Sequence, residues 1–93
     1  MQYYEEDRAV DGNAAAGSLA EVFSVDMTSA QATCANCGAT HALAQVRAFL
    51  GGPGTVLRCA DCNSVLGRIV RARDSVWLDL RGVTALQIPV GAQ

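Results

Sequence analysis

Two thiols and an imidazole fall within eight residues in CANCGATH, Cys34 to His41, and a second thiol pair follows in CADCN, Cys59 to Asn63. The four cysteines are spaced C-x2-C-x21-C-x2-C. A CxxC turn presents two sulfurs on one side of a tight loop, and two such loops complete the tetrahedron that Zn2+ takes in structural sites. The spacing therefore predicts one Zn2+ per chain, held by Cys34, Cys37, Cys59 and Cys62. Iron suits the same sulfur cage. Thiol redox chemistry is a further alternative, but a thioredoxin-like CxxC expects a strand-to-helix junction inside a βαβ pattern, and neither pair has that context. Gly38 and Asn63, which follow the second cysteine of each knuckle, are the residue types that best tolerate a left-handed backbone.

Four cysteines already fill a tetrahedron, so His41 would have to displace one of them to become a ligand. It is expected to begin the strand after Gly38, at the surface or hydrogen-bonded near a sulfur. Zinc-bound thiolates are not free nucleophiles, which argues against a Cys-His catalytic pair. No Ser/His/Asp set, phosphate loop or paired-carboxylate motif stands elsewhere. The chain reads as non-enzymatic, with no small-molecule substrate evident.

A chain of 93 residues is expected to form one domain. Hydrophobic residues make up 51%, yet sixteen of them are Ala, so the core is thin and a metal would supply what it lacks. The acidic N-terminus lacks the features of a secretory signal. The long uncharged run from Met27 to Val46 is interrupted by polar residues throughout, so it does not read as a membrane span. A reducing, cytoplasmic location is expected, where paired CxxC motifs point to metal in preference to disulfides. The formal charge is −2, and four thiolates around one Zn2+ would bring the chain near −4. Residues 1–33 hold six acids and one Arg, whereas residues 34–93 hold six Arg and three acids. All seven basic residues are Arg, which suits a compositional habit better than a binding signature.

The elements that must position the thiols can be traced along the chain. Residues 1–9 read as a flexible acidic tail. Residues 10–26 read as a helix packed on the rest, because Ala15, Ala16, Leu19, Val22 and Phe23 fall on one stripe at helical spacing, with Asp11 or Asn13 as N-cap. Residues 27–88 read as the ribbon domain and 89–93 as a second flexible tail. Ala30 to Thr33 leads into the first knuckle, and Leu43 to Cys59 forms a hairpin turned at GGPG. VLGRIVR and SVWLDLR form another, in which Ile69 faces Leu78, Val70 faces Trp77 and Arg68 faces Asp79. That register gives a core face of Val65, Ile69, Val76, Leu78 and Leu80. The opposite face carries Leu66, Arg68, Val70, Trp77, Asp79 and Arg81. The C-terminal segment offers only Leu86 and Ile88 to dock.

Two knuckles on β-hairpins, with CxxCG and CxxCN motifs, resemble a zinc ribbon over residues 30–81. More narrowly, DGNAAAGSLAEVF, the two knuckles and VWLDLRG, in that order, are similar to a family of small uncharacterised bacterial zinc-ribbon proteins over residues 10–86. The resemblance implies a small, metal-stabilised, mainly β fold with one N-terminal helix, and it brings no activity with it. Ala35 and Ala60 stand where such knuckles often carry Pro, which leaves the loops less rigid.

Arg68, Trp77 and Arg81 have the composition of a protein-binding patch, since Trp and Arg are enriched at hot spots. The helix is nonetheless expected to cover this face and make Trp77 ordinary core, because Leu19, Val22 and Phe23 must be buried against something. The alternative is that the other face receives them. The expected function is a zinc-ribbon interaction module binding a protein partner. A nucleic-acid-binding ribbon is the alternative, with Phe49 and Trp77 among Arg47, Arg58, Arg68, Arg71, Arg73 and Arg81. A redox- or zinc-sensing thiol switch is the third possibility.

Overall fold

In the computed structural model, the described residues are 9–20, 23, 27–51 and 54–89. They form a mainly β molecule with two antiparallel sheets and one short helix. The strands are β1 (Ala9–Asp11), β2 (Gln31–Cys34), β3 (Thr40–Ala42), β4 (Arg47–Gly51), β5 (Gly54–Arg58), β6 (Val65–Arg71), β7 (Val76–Asp79) and β8 (Val83–Gln87). The larger sheet has the order β1-β4-β5-β6-β7, and the smaller has the order β3-β2-β8. Each CxxC knuckle joins two neighbours of one sheet: the first links β2 to β3, the second β5 to β6.

The helix expected over 10–26 starts later than Val10, and residues 21, 22 and 24–26 of it lie outside the described residues. Ala9–Asp11 pairs with β4, Gly12–Ala15 is a 3-10 turn, and only Ala16–Ala20 (α1) is α-helical among the described residues. Asp11 is the N-cap, its carboxylate accepting from the Asn13 N–H at 3.1 Å. The run AAAGSLA carries little apolar area and a glycine, so its start is marginal as a helix without a surface to fit. Of the expected stripe, Ala15 and Leu19 are buried, Phe23 is half-buried and Ala16 is exposed; Val22 lies outside the described residues. So do residues 1–8 and 90–93 of the two expected tails.

Leu43 does not begin a strand. Leu43–Gln45 is a 3-10 turn, whose period of three lets Leu43 and Val46 both point inward, at 4% and 1% exposure. The β6–β7 register is the one the sequence predicts, with Arg68, Ile69 and Val70 opposite Asp79, Leu78 and Trp77, and Ala72 N–H donating to Ser75 O at 2.8 Å. Leu66 departs from the expected face. The β5–β6 pairing slips from Leu57↔Gly67 to Arg58↔Val65, so Leu66 is the extra residue of a bulge and turns into the core, 2% exposed. The C-terminal segment is a full strand rather than a docked tail: β8 pairs with β2 from Gln31↔Gln87 to Cys34↔Val83.

One apolar cluster draws on both sheets and the helix, with Leu19, Ala32, Leu43, Val46, Ala48, Leu57, Leu66 and Ile69 buried and Leu78 and Leu86 packed against them. Leu19 therefore takes the inner face of the large sheet. Trp77 is left 68% exposed on the outer one, contrary to the expectation that the helix covers it.

Gly82 sits where the chain passes from the large sheet to the small one. Its N–H donates to Leu66 O (3.0 Å) and its carbonyl accepts from Ala35 N–H (2.8 Å), so its backbone lies between β6 and the first knuckle. A Cβ there would stand 1.9 Å from Val65 O. Gly17, in α1, has nothing within 4 Å of an added Cβ. Gly82→Ala should therefore lower the thermal unfolding midpoint by several degrees or more, since overpacking costs about 1–3 kcal/mol. Gly17→Ala should raise it slightly, by the equivalent of about 0.5–1 kcal/mol. Thermal melts followed by circular dichroism read both signs.

Candidate metal centre

The two knuckles have the same construction. Cys34 N–H donates to Ala39 O (2.9 Å) and Gly38 N–H to Cys34 O (2.9 Å); five-residue closure recurs as Cys59 N–H to Ser64 O (2.8 Å) and Asn63 N–H to Cys59 O (3.0 Å). Inside each loop, the second spacer residue donates its N–H to the first sulfur: Asn36 to Cys34 Sγ at 3.3 Å and Asp61 to Cys59 Sγ at 3.4 Å. Closing so tight a loop needs a left-handed residue after the second cysteine, and Gly38 (φ 80°) and Asn63 (φ 66°) provide it as their types predict.

The loops face each other. All four sulfurs lie within 4.8 Å of one another, with Cys34 Sγ 3.7 Å from Cys62 Sγ and Cys37 Sγ 3.7 Å from Cys59 Sγ. A tetrahedron with metal–sulfur bonds of about 2.3 Å has sulfur–sulfur edges of about 3.8 Å. The cluster thus has the size of a four-thiolate cage, and the cysteines are able to hold one metal ion. Cys34 and Cys59 are buried, whereas Cys37 is exposed and Cys62 half-buried, so the cage is rooted in the core and open at one side.

The electrostatics of the thiols fit that role. The Cys37 thiol is favoured in its ionised form by the Ala39 backbone N–H, but the partial desolvation of an otherwise exposed group and hydrogen bonding to the Cys59, Cys62 and Cys34 sulfurs outweigh this and push it up to about 12. Cys62 is pulled down to about 6, first by the Asn36 side-chain amide and then by the Ser64 hydroxyl and backbone. Asn36 Nδ2 lies 3.5 Å and Ser64 Oγ 3.2 Å from its sulfur. Thiolates this close repel one another unless a cation stands between them, and a divalent metal supplies it.

His41 is outside the cage. It lies on β3, and its Nε2 is 3.3 Å from Asp61 Oδ1, in the second knuckle, without the alignment of a hydrogen bond. It lies between the strand leaving one knuckle and the loop of the other. Asn36, Asp61 and Ser64 support the sulfurs and were not singled out by the cysteine pattern; their signal is position, the second spacer of each CxxC and the second residue beyond Cys62.

Arg68 and Trp77 share the outer face of the large sheet, as expected. The Arg68 guanidinium stands 4.0 Å from the Asp79 carboxylate, and Arg81 Nε stands 3.1 Å from it. The Arg81 backbone N–H, then its side chain and Arg68, hold the Asp79 carboxyl below its ordinary value. This patch and the cysteine cage are separate features of the molecule.

The fold and site define a small, mainly β protein organised around four clustered cysteines able to bind a metal. Residues 5–91 match the family of unknown function DUF6510, and the chain belongs to that family. No curated protein and no solved structure matches it. Among the described residues, no helix is long and apolar enough to cross a membrane.

In the metal-free cage the Asn36 amide and the Ser64 hydroxyl and backbone lower Cys62 to about 6, so this sulfur is the one best prepared to bind as a thiolate near neutral pH. Ser64→Ala removes part of that support, so metal should leave at higher pH and affinity should drop about tenfold; an acid titration with a metal-sensing dye measures both. His41→Ala should leave the metal content unchanged, as read by elemental analysis of the purified variant.

Proposed function

We propose that this chain is a non-enzymatic zinc-ribbon module: Cys34, Cys37, Cys59 and Cys62 hold one structural Zn2+, and the outer face of the large sheet engages a macromolecular partner. The observation that supports this most directly is the placement of the four sulfurs. They sit on two like knuckles at the tips of hairpins from different sheets, at separations suited to a tetrahedral thiolate cage. Structural zinc sites are closed by four protein ligands, which leaves no position for a reacting water. A reducing, cytoplasmic setting would keep the thiols available as ligands.

Zinc favours the folded chain because a preformed cage does not exist in the unfolded one, so binding free energy becomes folding free energy. The purified protein should contain one Zn per chain by elemental analysis, and a strong chelator should collapse the dispersed amide spectrum. Retention of a well-dispersed spectrum after complete metal removal would overturn the structural role. Stoichiometric iron in place of zinc would keep the cage and change its metal.

A further inference from the structure

The outer face of the large sheet carries two aromatic rings among guanidinium groups. Phe49, Val56, Arg68 and Asp79 are aligned in one row across β4 to β7, and Val70 and Trp77 form part of the next. Residues aligned across antiparallel strands, and those two apart along a strand, share a face. Arg47 and Arg58 stand over the Phe49 ring, their guanidinium carbons 5.9 and 5.7 Å from its centroid. Trp77, at 68% exposure, offers its surface to solvent beside Arg68.

Among the described residues this face is positive, on a chain of formal charge −2. Arg47, Arg58, Arg68 and Arg81 stand against Asp79, which is shared by two of them, and Asp11, aligned with Arg47 but with its carboxylate turned to cap Asn13 N–H. The rings lie three strands apart, about 14 Å at about 4.8 Å per strand, with Arg68 on the strand next to Trp77. A flexible chain that alternates flat rings with negative groups can lay a ring on Trp77 and charges on Arg68 and on the arginines that cover Phe49. A broad sheet face does not enter a duplex groove, which admits a helix or a two-stranded ribbon. An acidic peptide would satisfy the arginines but has no regular supply of flat rings for Trp77.

We infer that the Phe49–Arg68–Trp77 face is a platform for single-stranded nucleic acid, with a base stacked on Trp77 and phosphates paired to Arg68 and to the Arg47 and Arg58 groups that cover Phe49. The inference rests on the module reading above, which takes this sheet as the interaction face, and gives its partner a chemistry.

Trp77 is the chain's single tryptophan and reports directly on stacking. Zinc-loaded full-length protein should lose Trp77 fluorescence on titration with a short oligothymidylate, with affinity falling steeply between about 50 and 200 mM salt. With a fluorescein-labelled oligonucleotide followed by anisotropy, Trp77→Ala should weaken binding about tenfold or more. Arg68→Ala should reduce the slope of log affinity against log salt by about one. Unchanged Trp77 fluorescence at low salt in a folded, zinc-loaded sample would overturn the platform and leave the zinc module standing. Displacement by polyglutamate at equal charge concentration, or tighter binding to duplex, would also overturn it. Oligonucleotide binding with quenching by a folded chain that holds no zinc would keep the platform and overturn the zinc module.

Discussion

Four sulfurs carried by two different sheets must meet within 4.8 Å, and much of the molecule can be understood from that requirement. Neither sheet contains the whole cage. The first knuckle belongs to the β2–β3 hairpin and the second to β5–β6, so a metal there ties the small sheet to the large one. The apolar cluster between them provides the same tie by burial, and Cys34 and Cys59, at 2% and 1% exposure, belong to both arrangements. In a chain rich in Ala the two are complementary, because small side chains bring backbones close without burying much area each.

The backbone contributes as much as the cysteines. Each knuckle encloses a sulfur with an N–H from its own loop and shuts with a left-handed residue, so the thiolate positions follow from loop closure. The side chains that differ between the knuckles make the cage asymmetric. Asn36 reaches across to Cys62 from the opposite loop and Ser64 reaches it from its own, while Cys37 lies at the exposed side among three other sulfurs.

The clustering of the four cysteines was legible because metal chemistry imposes spacing and residue type directly on the sequence. The β6–β7 register was legible too, since Arg68 opposite Asp79 and Ile69 opposite Leu78 satisfy one pairing and no neighbouring one. What escaped was set by distant partners. Nothing local marks Ala9–Asp11 or Val83–Gln87 as strands; they become strands because β4 and β2 present free edges to them. The apolar spacing over 10–26 fits a long helix, but the run also contributes an edge strand and a 3-10 turn to reach the core. Leu66 changed face through a bulge that alternation alone does not reveal, and Trp77 was left outside because α1 serves the inner face of the large sheet.

The pairing of β2 with β8 also bears on the order in which the chain can assemble. The β5–β6 hairpin closes over a few residues, so the second half of the cage is framed locally. β2 carries the first half and gains its second neighbour only when residues 83–87 arrive, some fifty positions later. During synthesis the earlier pair of cysteines is thus the later to be fully framed. A nascent chain released short of Gln87 would carry one finished knuckle and one supported on a single side.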